Sequence, residues 1–287
     1  MNKADIYMYN AIQKILEKGY KDVNPRPHYA DGTPAYTLSV NGVFRTYDLS
    51  KNEFPITSLR PIAWKNAIKE ILWIYQDQSN DLNLLRDKYN VQYWNDWESK
   101  DMPNTIGKRY GYIIKKYDLM NKLLNNLVKD PYGRRHIIDL YQYQELENTD
   151  GLYPCAFLTI WNVRNANGKE YLDMTLIQRS GDLIAASCSG VNEIQYSALL
   201  MMVSRHCGYE AGILHHFVQN EQIYTRHMDV SKEILNRYHS FKNGGIILSP
   251  KLILNSNKTN FFDFTIDDFT MESYEPIKPQ LKFELGI

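Results

Sequence analysis

A cysteine follows a proline at the entrance to an apolar run: Leu152-Tyr153-Pro154-Cys155, then Ala156-Phe157-Leu158-Thr159-Ile160-Trp161. A second run of β-formers ends in Gln178-Arg179-Ser180-Gly181-Asp182. A thiol beside a guanidinium favours thiolate, its nucleophilic form. Cys155 is therefore a candidate nucleophile, with Arg179 and Ser180 as candidates to hold an anionic substrate next to it. Asn167-Gly168 lies between the two runs and suits a two-residue hairpin turn. Counting back from that turn puts Cys155 opposite Ser180, so the thiol and the Arg-Ser pair are expected at one open hairpin end.

Other residues carry chemistry more weakly. Arg26 stands between two prolines that restrict its backbone. Arg134-Arg135 follow the turn sequence Asp130-Pro131-Tyr132-Gly133 and open a strand over 137–143. Paired arginines are commonly solvated, but after a turn they also suit bidentate clamping of an anion. Glu70 falls near the margin of an apolar stripe, Trp64, Ile68, Leu72 and Tyr75, on a helix over 61–77. A solvated charge is the ordinary reading of such a glutamate; half-burial would raise its pKa. Trp94 and Trp97 serve as packing groups or as a ligand platform. His215 and His216 are neighbours in a strand over 214–224, so they point to opposite faces and do not readily share a metal. No metal is expected.

The elements needed to position these residues are legible in the periodicities. Helices are expected over 5–18, capped by Asp5, and over 118–129, 192–207 and 229–240. A hairpin is expected around Asn41-Gly42, long strands over 156–164 and 171–180, and a short strand over 250–254. Together they give an α+β fold: a single domain over residues 1–287, with several helices against a large mixed β-sheet. The 287 residues carry 33 basic and 33 acidic side chains, and this zero balance argues against nucleic acid as a partner. The three cysteines, Cys155, Cys188 and Cys207, form no CxxC pair and suggest neither disulfides nor zinc. Cys207 is expected in the core. The start lacks the apolar run of a signal peptide, and no stretch reaches the ~20 apolar residues of a membrane span, so no membrane association and a cytoplasmic location are expected.

Taken in order, these segments resemble the thymidylate synthase family from about Arg26 to the C-terminus. The resemblance runs through Asp31-Gly32-Thr33-Pro34-Ala35, Trp64 to Trp73, Trp94-Asn95-Asp96-Trp97 and Tyr110-Gly111. It continues through Arg134-Arg135-His136-Ile137, Pro154-Cys155, Gln178-Arg179-Ser180, Asn192 with Tyr196, Tyr224 with His227-Met228-Asp229, and Phe261 to Phe269. The resemblance implies one-carbon transfer from 5,10-methylenetetrahydrofolate to C5 of dUMP, giving dTMP and dihydrofolate. Cys155 would attack C6 of the pyrimidine. Arg179 would hold the thiol ionised and, with Ser180, Arg26, Arg134 and Arg135, bind phosphate. Asn192 would read the uracil edge and Tyr224 the sugar. Glu70 would order water and move protons, with Tyr110 also among the catalytic residues. Trp94, Asp182 and Ile287 would line the folate side. The family implies a homodimer in which the arginine pair reaches the neighbouring site.

Two segments depart from the family pattern. A Gly-Asp-x-His-x-Tyr sequence usually ends in the sugar-binding tyrosine; here it reads Gln219-Asn220-Glu221-Gln222-Ile223-Tyr224. The stretch from Asp182 to Asn192 is longer than usual and lacks the Pro-Phe before the asparagine. These changes leave the nucleophile in place but keep two alternatives open. Water instead of hydride at the exocyclic methylene would make the chain a dUMP hydroxymethylase, yielding 5-hydroxymethyl-dUMP and tetrahydrofolate. A weakly active nucleotide-binding paralogue is the other alternative.

Overall fold

A computed structural model describes residues 2–242 and 249–286. The helices are α1 (Lys3–Lys18), α2 (Trp64–Ile71), α3 (Leu82–Tyr89), α4 (Gly111–Lys116), α5 (Leu119–Lys129), α6 (Tyr143–Leu146), α7 (Val191–Cys207) and α8 (Met228–Lys242). The strands are β1 (Tyr20–Lys21), β2 (Thr37–Asp48), β3 (His136–Asp139), β4 (Ala156–Ala166), β5 (Lys169–Asp182), β6 (Glu210–Tyr224), β7 (Lys251–Leu254) and β8 (Phe269–Glu272). Six strands form one sheet in the order β1-β2-β6-β5-β4-β3, and β7 pairs with β8. Only β5 and β6 run parallel in the large sheet, so the chain crosses between them through α7. The expected α+β architecture with a large mixed sheet is the observed one.

One sheet face carries the core. Leu172, Met174, Leu176 and Gln178 of β5 and Leu214, His216 and Val218 of β6 all point inward and are buried. α7 lies over them, with Leu199, Leu200, Met202 and Val203 fully buried. The opposite face is only partly covered: Phe44 on β2 is 57% exposed and Ile137 on β3 is 49% exposed. Among the described residues no helix is long and apolar enough to cross a membrane.

Several boundaries differ from the sequence reading. The cap of α1 is Asn2, whose side chain accepts from Asp5 N at 2.8 Å. Asp5 lies inside the first turn and accepts instead from Thr57 Oγ1 and Ser58 N. No hairpin forms at Asn41-Gly42. β2 runs through that pair without a break, with Asn41 opposite Asn220 and Val43 opposite Val218. A long inward-facing partner strand overrides the local turn preference. The second helix ends at Ile71 and passes into a wider π turn over Leu72–Gln76. β3 stops at Asp139, and Tyr143 starts α6. The Asn167-Gly168 turn is as expected, with both residues at positive φ.

Candidate active site

Cys155 immediately precedes β4. The β4–β5 register slips by one residue between Ala156 and Leu158. Arg179 N therefore donates to Cys155 O at 2.9 Å, which puts Arg179, and not Ser180, opposite the cysteine. The expectation of a Cys155–Ser180 pair is corrected by this bulge, which no turn-based count could include. The guanidinium gains from the slip. Arg179 Nη2 lies 3.5 Å from Cys155 Sγ and 2.7 Å from Tyr153 O, while Nε donates to Pro154 O at 3.0 Å. One arginine thus ties down the three residues that present the sulfur. Behind them, the buried Arg109 braces the preceding turn through Leu146 O and Thr149 Oγ1 and stacks on the Tyr153 ring.

The thiol's electrostatics differ from the simple expectation. Burial pushes the Cys155 pKa up; the charges of Arg179 and Arg26 pull it down without overcoming the loss of hydration. The thiolate is accordingly not the resting form at neutral pH. Arg26 also acts on Tyr224, so this exposed arginine stands over the same site. Tyr224 is buried, and edge-on to both Tyr29 and His227. Ser180 is half-buried one residue beyond Arg179.

Glu70 is buried on α2, which overturns the solvated reading: the fold turns the margin of the apolar stripe inward over the site. Burial raises its carboxyl pKa, and the side chains of Tyr93, Gln195 and Trp94 pull the other way. The Tyr93 hydroxyl donates directly to Glu70 Oε2. Trp94 Nε1 and Gln195 Nε2 are buried and close no hydrogen bond. Tyr110 accepts from Cys155 N at 3.1 Å through its hydroxyl, from a backbone at φ +46° that non-glycine residues rarely adopt. The next residue, Gly111, lies so close to Ser79 that a Cβ would stand 2.1 Å from its carbonyl oxygen.

Asn192 opens α7 half-buried. Its Oδ1 accepts from Gln178 Nε2 at 3.1 Å, and its Nδ2 donates to Gln195 Oε1 at 3.1 Å. On the other side, Asp182 caps the turn over Leu183–Ser187 by accepting from Ile184 N and Ala185 N at 3.0 and 3.1 Å. Its Oδ2 is buried without a partner, 3.8 Å from His227 Nδ1. Gln222 is the cross-strand partner of Asp182. Trp94 is buried edge-on to both Trp97 and Tyr110. Ile287 lies outside the described residues; its neighbour Gly286 abuts the Tyr224 ring.

Not every predicted residue joins the cluster within one chain. His136 pairs with Trp161, so Arg134 and Arg135 lie beyond the far end of β3, about 20 Å of strand from Cys155. Both are exposed, and among the described residues neither has a side-chain partner. The sequence reading also missed a buried polar group behind Asn192: Arg45, Glu193, His216 and Glu221. Its one visible signal was polar residues at inward positions of alternating strands. Cys188, which had no assigned role, is buried beside Ser189. Cys207 is half-buried at the margin of the core.

Comparison with known proteins decides what this arrangement belongs to. The thymidylate synthase family model matches residues 6–287. The chain belongs to the thymidylate synthase family. It is 50% identical to a thymidylate synthase of Streptococcus pneumoniae (strain 70585) over 288 residues, covering 100% of both chains. It is 49% identical to the thymidylate synthase of Streptococcus gordonii, again covering 100% of both. A thermostable thymidylate synthase A from Bacillus subtilis superposes with a TM-score of 0.85 at 33% identity, covering 99% of each chain. The activity of a thymidylate synthase is one-carbon transfer from 5,10-methylenetetrahydrofolate to C5 of dUMP, giving dTMP and dihydrofolate, and the chain is a methyltransferase of that type. Asp182 Oδ2, an acceptor buried without a hydrogen-bond partner, fits a heteroaromatic co-substrate such as the pterin of the folate.

Proposed function

We propose that the chain makes dTMP through a covalent adduct on Cys155, acting as one domain over residues 1–287. The observation that carries this reading is the 3.5 Å contact between Arg179 and the Cys155 sulfur. The Cys155 thiol gives its proton to solvent water as the sulfur bonds to C6 of the uracil, and the electron pair of the C5–C6 bond moves onto C5 and O4. Asn192 has one acceptor site and one hydrogen left over to meet N3–H and O4. Arg179, Arg26 and Ser180 take the 5′-phosphate, and Tyr224 takes the sugar. Binding a dianion between two guanidiniums supplies substrate charge without moving the protein. Glu70, kept protonated more readily than an exposed carboxyl, exchanges protons with the pyrimidine through ordered water. Tyr110 holds the Cys155 backbone while sulfur bonds form and break. Asp182, Trp94 and Ile287 line the folate side, where the bound co-substrate supplies the one-carbon unit and the hydride.

The two remaining requirements concern assembly and compartment. Phe44, Phe217, Ile177, Leu158, Ile160 and Ile137 are cross-strand neighbours along the uncovered sheet face. A second copy of the chain fits that face as a homodimer partner and would bring Arg134 and Arg135, which flank it, to the neighbouring phosphate site. Three free thiols suit a reducing compartment such as the cytoplasm.

Incubation with dUMP and 5,10-methylenetetrahydrofolate tests the reaction, with both products identified. dTMP with dihydrofolate is expected. 5-Hydroxymethyl-dUMP with tetrahydrofolate would overturn the hydride step; that outcome is the one favoured by Gln222 facing Asp182. Cys155→Ser is expected to abolish turnover and to retain dUMP binding. Turnover at the wild-type rate would refute the covalent step.

A further inference from the structure

Behind Asn192 lie four ionisable side chains that are 2% exposed or less: Arg45, Glu193, His216 and Glu221. Arg45 donates to Glu193 Oε1 at 2.8 Å and to both oxygens of Glu221, at 2.7 and 2.9 Å. His216 sits cross-strand from Arg45, between Glu193 and Gln178. Its Nδ1 is 2.8 Å from Glu193 Oε1, and its Nε2 is 3.0 Å from Gln178 Oε1.

The direction of the hydrogen bonds between His216 and Asn192 follows from one backbone atom. The carbonyl oxygen of Ser180 can only accept, and Gln178 donates to it from Nε2 at 2.9 Å. The Gln178 nitrogen therefore faces Ser180 and Asn192, and its oxygen faces His216. A side-chain amide oxygen only accepts, so His216 Nε2 carries hydrogen. Glu193 also accepts from Tyr47 Oη at 3.0 Å and Ser189 N at 2.5 Å. Burial works to raise its carboxyl pKa, yet Arg45 and His216 hold it at about 2. As an ionised carboxylate it only accepts, and it anchors the Nδ1 side of the His216 ring at 2.8 Å.

We propose that His216, donating from Nε2 to Gln178, fixes the polarity of the Asn192 amide and so selects uracil over cytosine. The inference rests on Asn192 reading the pyrimidine edge. Donors run one way from His216 to Asn192: His216 Nε2 into Gln178 Oε1, Gln178 Nε2 into Asn192 Oδ1. With Nδ2 spending one hydrogen on Gln195, Asn192 keeps an acceptor for uracil N3–H and a donor for O4. Cytosine presents the reverse, an acceptor at N3 and an amine at C4, and would need the inverted amide. If His216 were singly protonated at Nδ1, Gln178 would turn its nitrogen to Nε2 and set its oxygen against Ser180 O. His216 acts through Gln178 and is a positioning residue.

Two measurements test this. Neutron diffraction from deuterium-exchanged crystals of the wild type is expected to show deuterium on His216 Nε2, and the Gln178 nitrogen toward Asn192. In parallel, binding of dUMP and dCMP is compared in the wild type and in His216→Phe, which fills the ring volume without either donor. The dUMP:dCMP affinity ratio is expected to fall by about tenfold to a hundredfold, the range of one misdirected buried hydrogen bond. A merely structural role would weaken both nucleotides alike and leave the ratio unchanged, which would overturn the proposal. A His216 Nε2 without deuterium would overturn it as well, whether or not the variant folds. A wild type that binds dCMP as well as dUMP would instead remove the reading of Asn192, and this inference with it.

Discussion

At the residue scale, the thiol and the carboxyl of the site are both shifted by burial. Arg179 is close enough to steady Cys155, but losing water costs the thiolate more than two guanidiniums return. Alkylation of Cys155 by iodoacetamide in the free enzyme is therefore expected to keep rising with pH past neutrality, without levelling below pH 9, the ordinary value for the group. A plateau near pH 7 would show that the guanidiniums dominate. The sequence singled out the proposed nucleophile and its arginine because the residue types are unusual at strand ends. It misjudged their ionisation, because a sequence carries no measure of local hydration.

At the element scale, the site is held by places where backbone segments meet. Gly111 lets α4 touch Ser79, and with it sets Tyr110 under Cys155. Gly111→Ala is expected to cost about 3 kcal/mol and to lower kcat, because backbone at 2.1 Å cannot step aside. Gly168→Ala meets nothing within 4 Å and should cost about 1 kcal/mol for its positive φ alone, with kcat unchanged. Urea unfolding and steady-state rates on both variants check the contrast. The buried group that joins β2, β6 and α7 has a pH signature of its own. Glu193 has its pKa lowered from 4.5 to about 2, so it stabilises the fold fully above pH 4.5 and loses that stabilisation as pH falls toward 2. Glu193→Gln should lower stability at pH 7 by about 3 kcal/mol and flatten acid unfolding between those limits. Equal acid profiles for the variant and the wild type would contradict this. The elements themselves were legible as periodicities of two and of three to four. The failures at Asn41-Gly42 and at Ala156 both came from partner strands, which local turn chemistry cannot register.

At the scale of the whole molecule, the proposed homodimer makes a sharp prediction about shared sites. Mixing the double variant Arg134→Ala, Arg135→Ala with Cys155→Ser under subunit exchange gives hybrids with one complete site. Each parent should be nearly inactive, and an equal mixture should recover about a quarter of the wild-type activity by random pairing of isologous subunits. No recovery, with hybrids confirmed by mass spectrometry, would place the arginine pair outside the neighbouring site.

Residue order alone carried the family, the mixed sheet, and Cys155 and Arg179 as the proposed nucleophile and phosphate-side arginine, because each depends on composition, on spacing along the chain or on the order of motifs. Burial of Glu70, the slip that brings Arg179 to the sulfur, and the relay from Glu193 through His216 and Gln178 to Asn192 were decided by tertiary structure. Each of these depends on which segments, more than a hundred residues apart in the case of Glu70 and Gln195, exclude water from a shared space. Hydration and cross-strand register are properties of that space and not of any single stretch of chain.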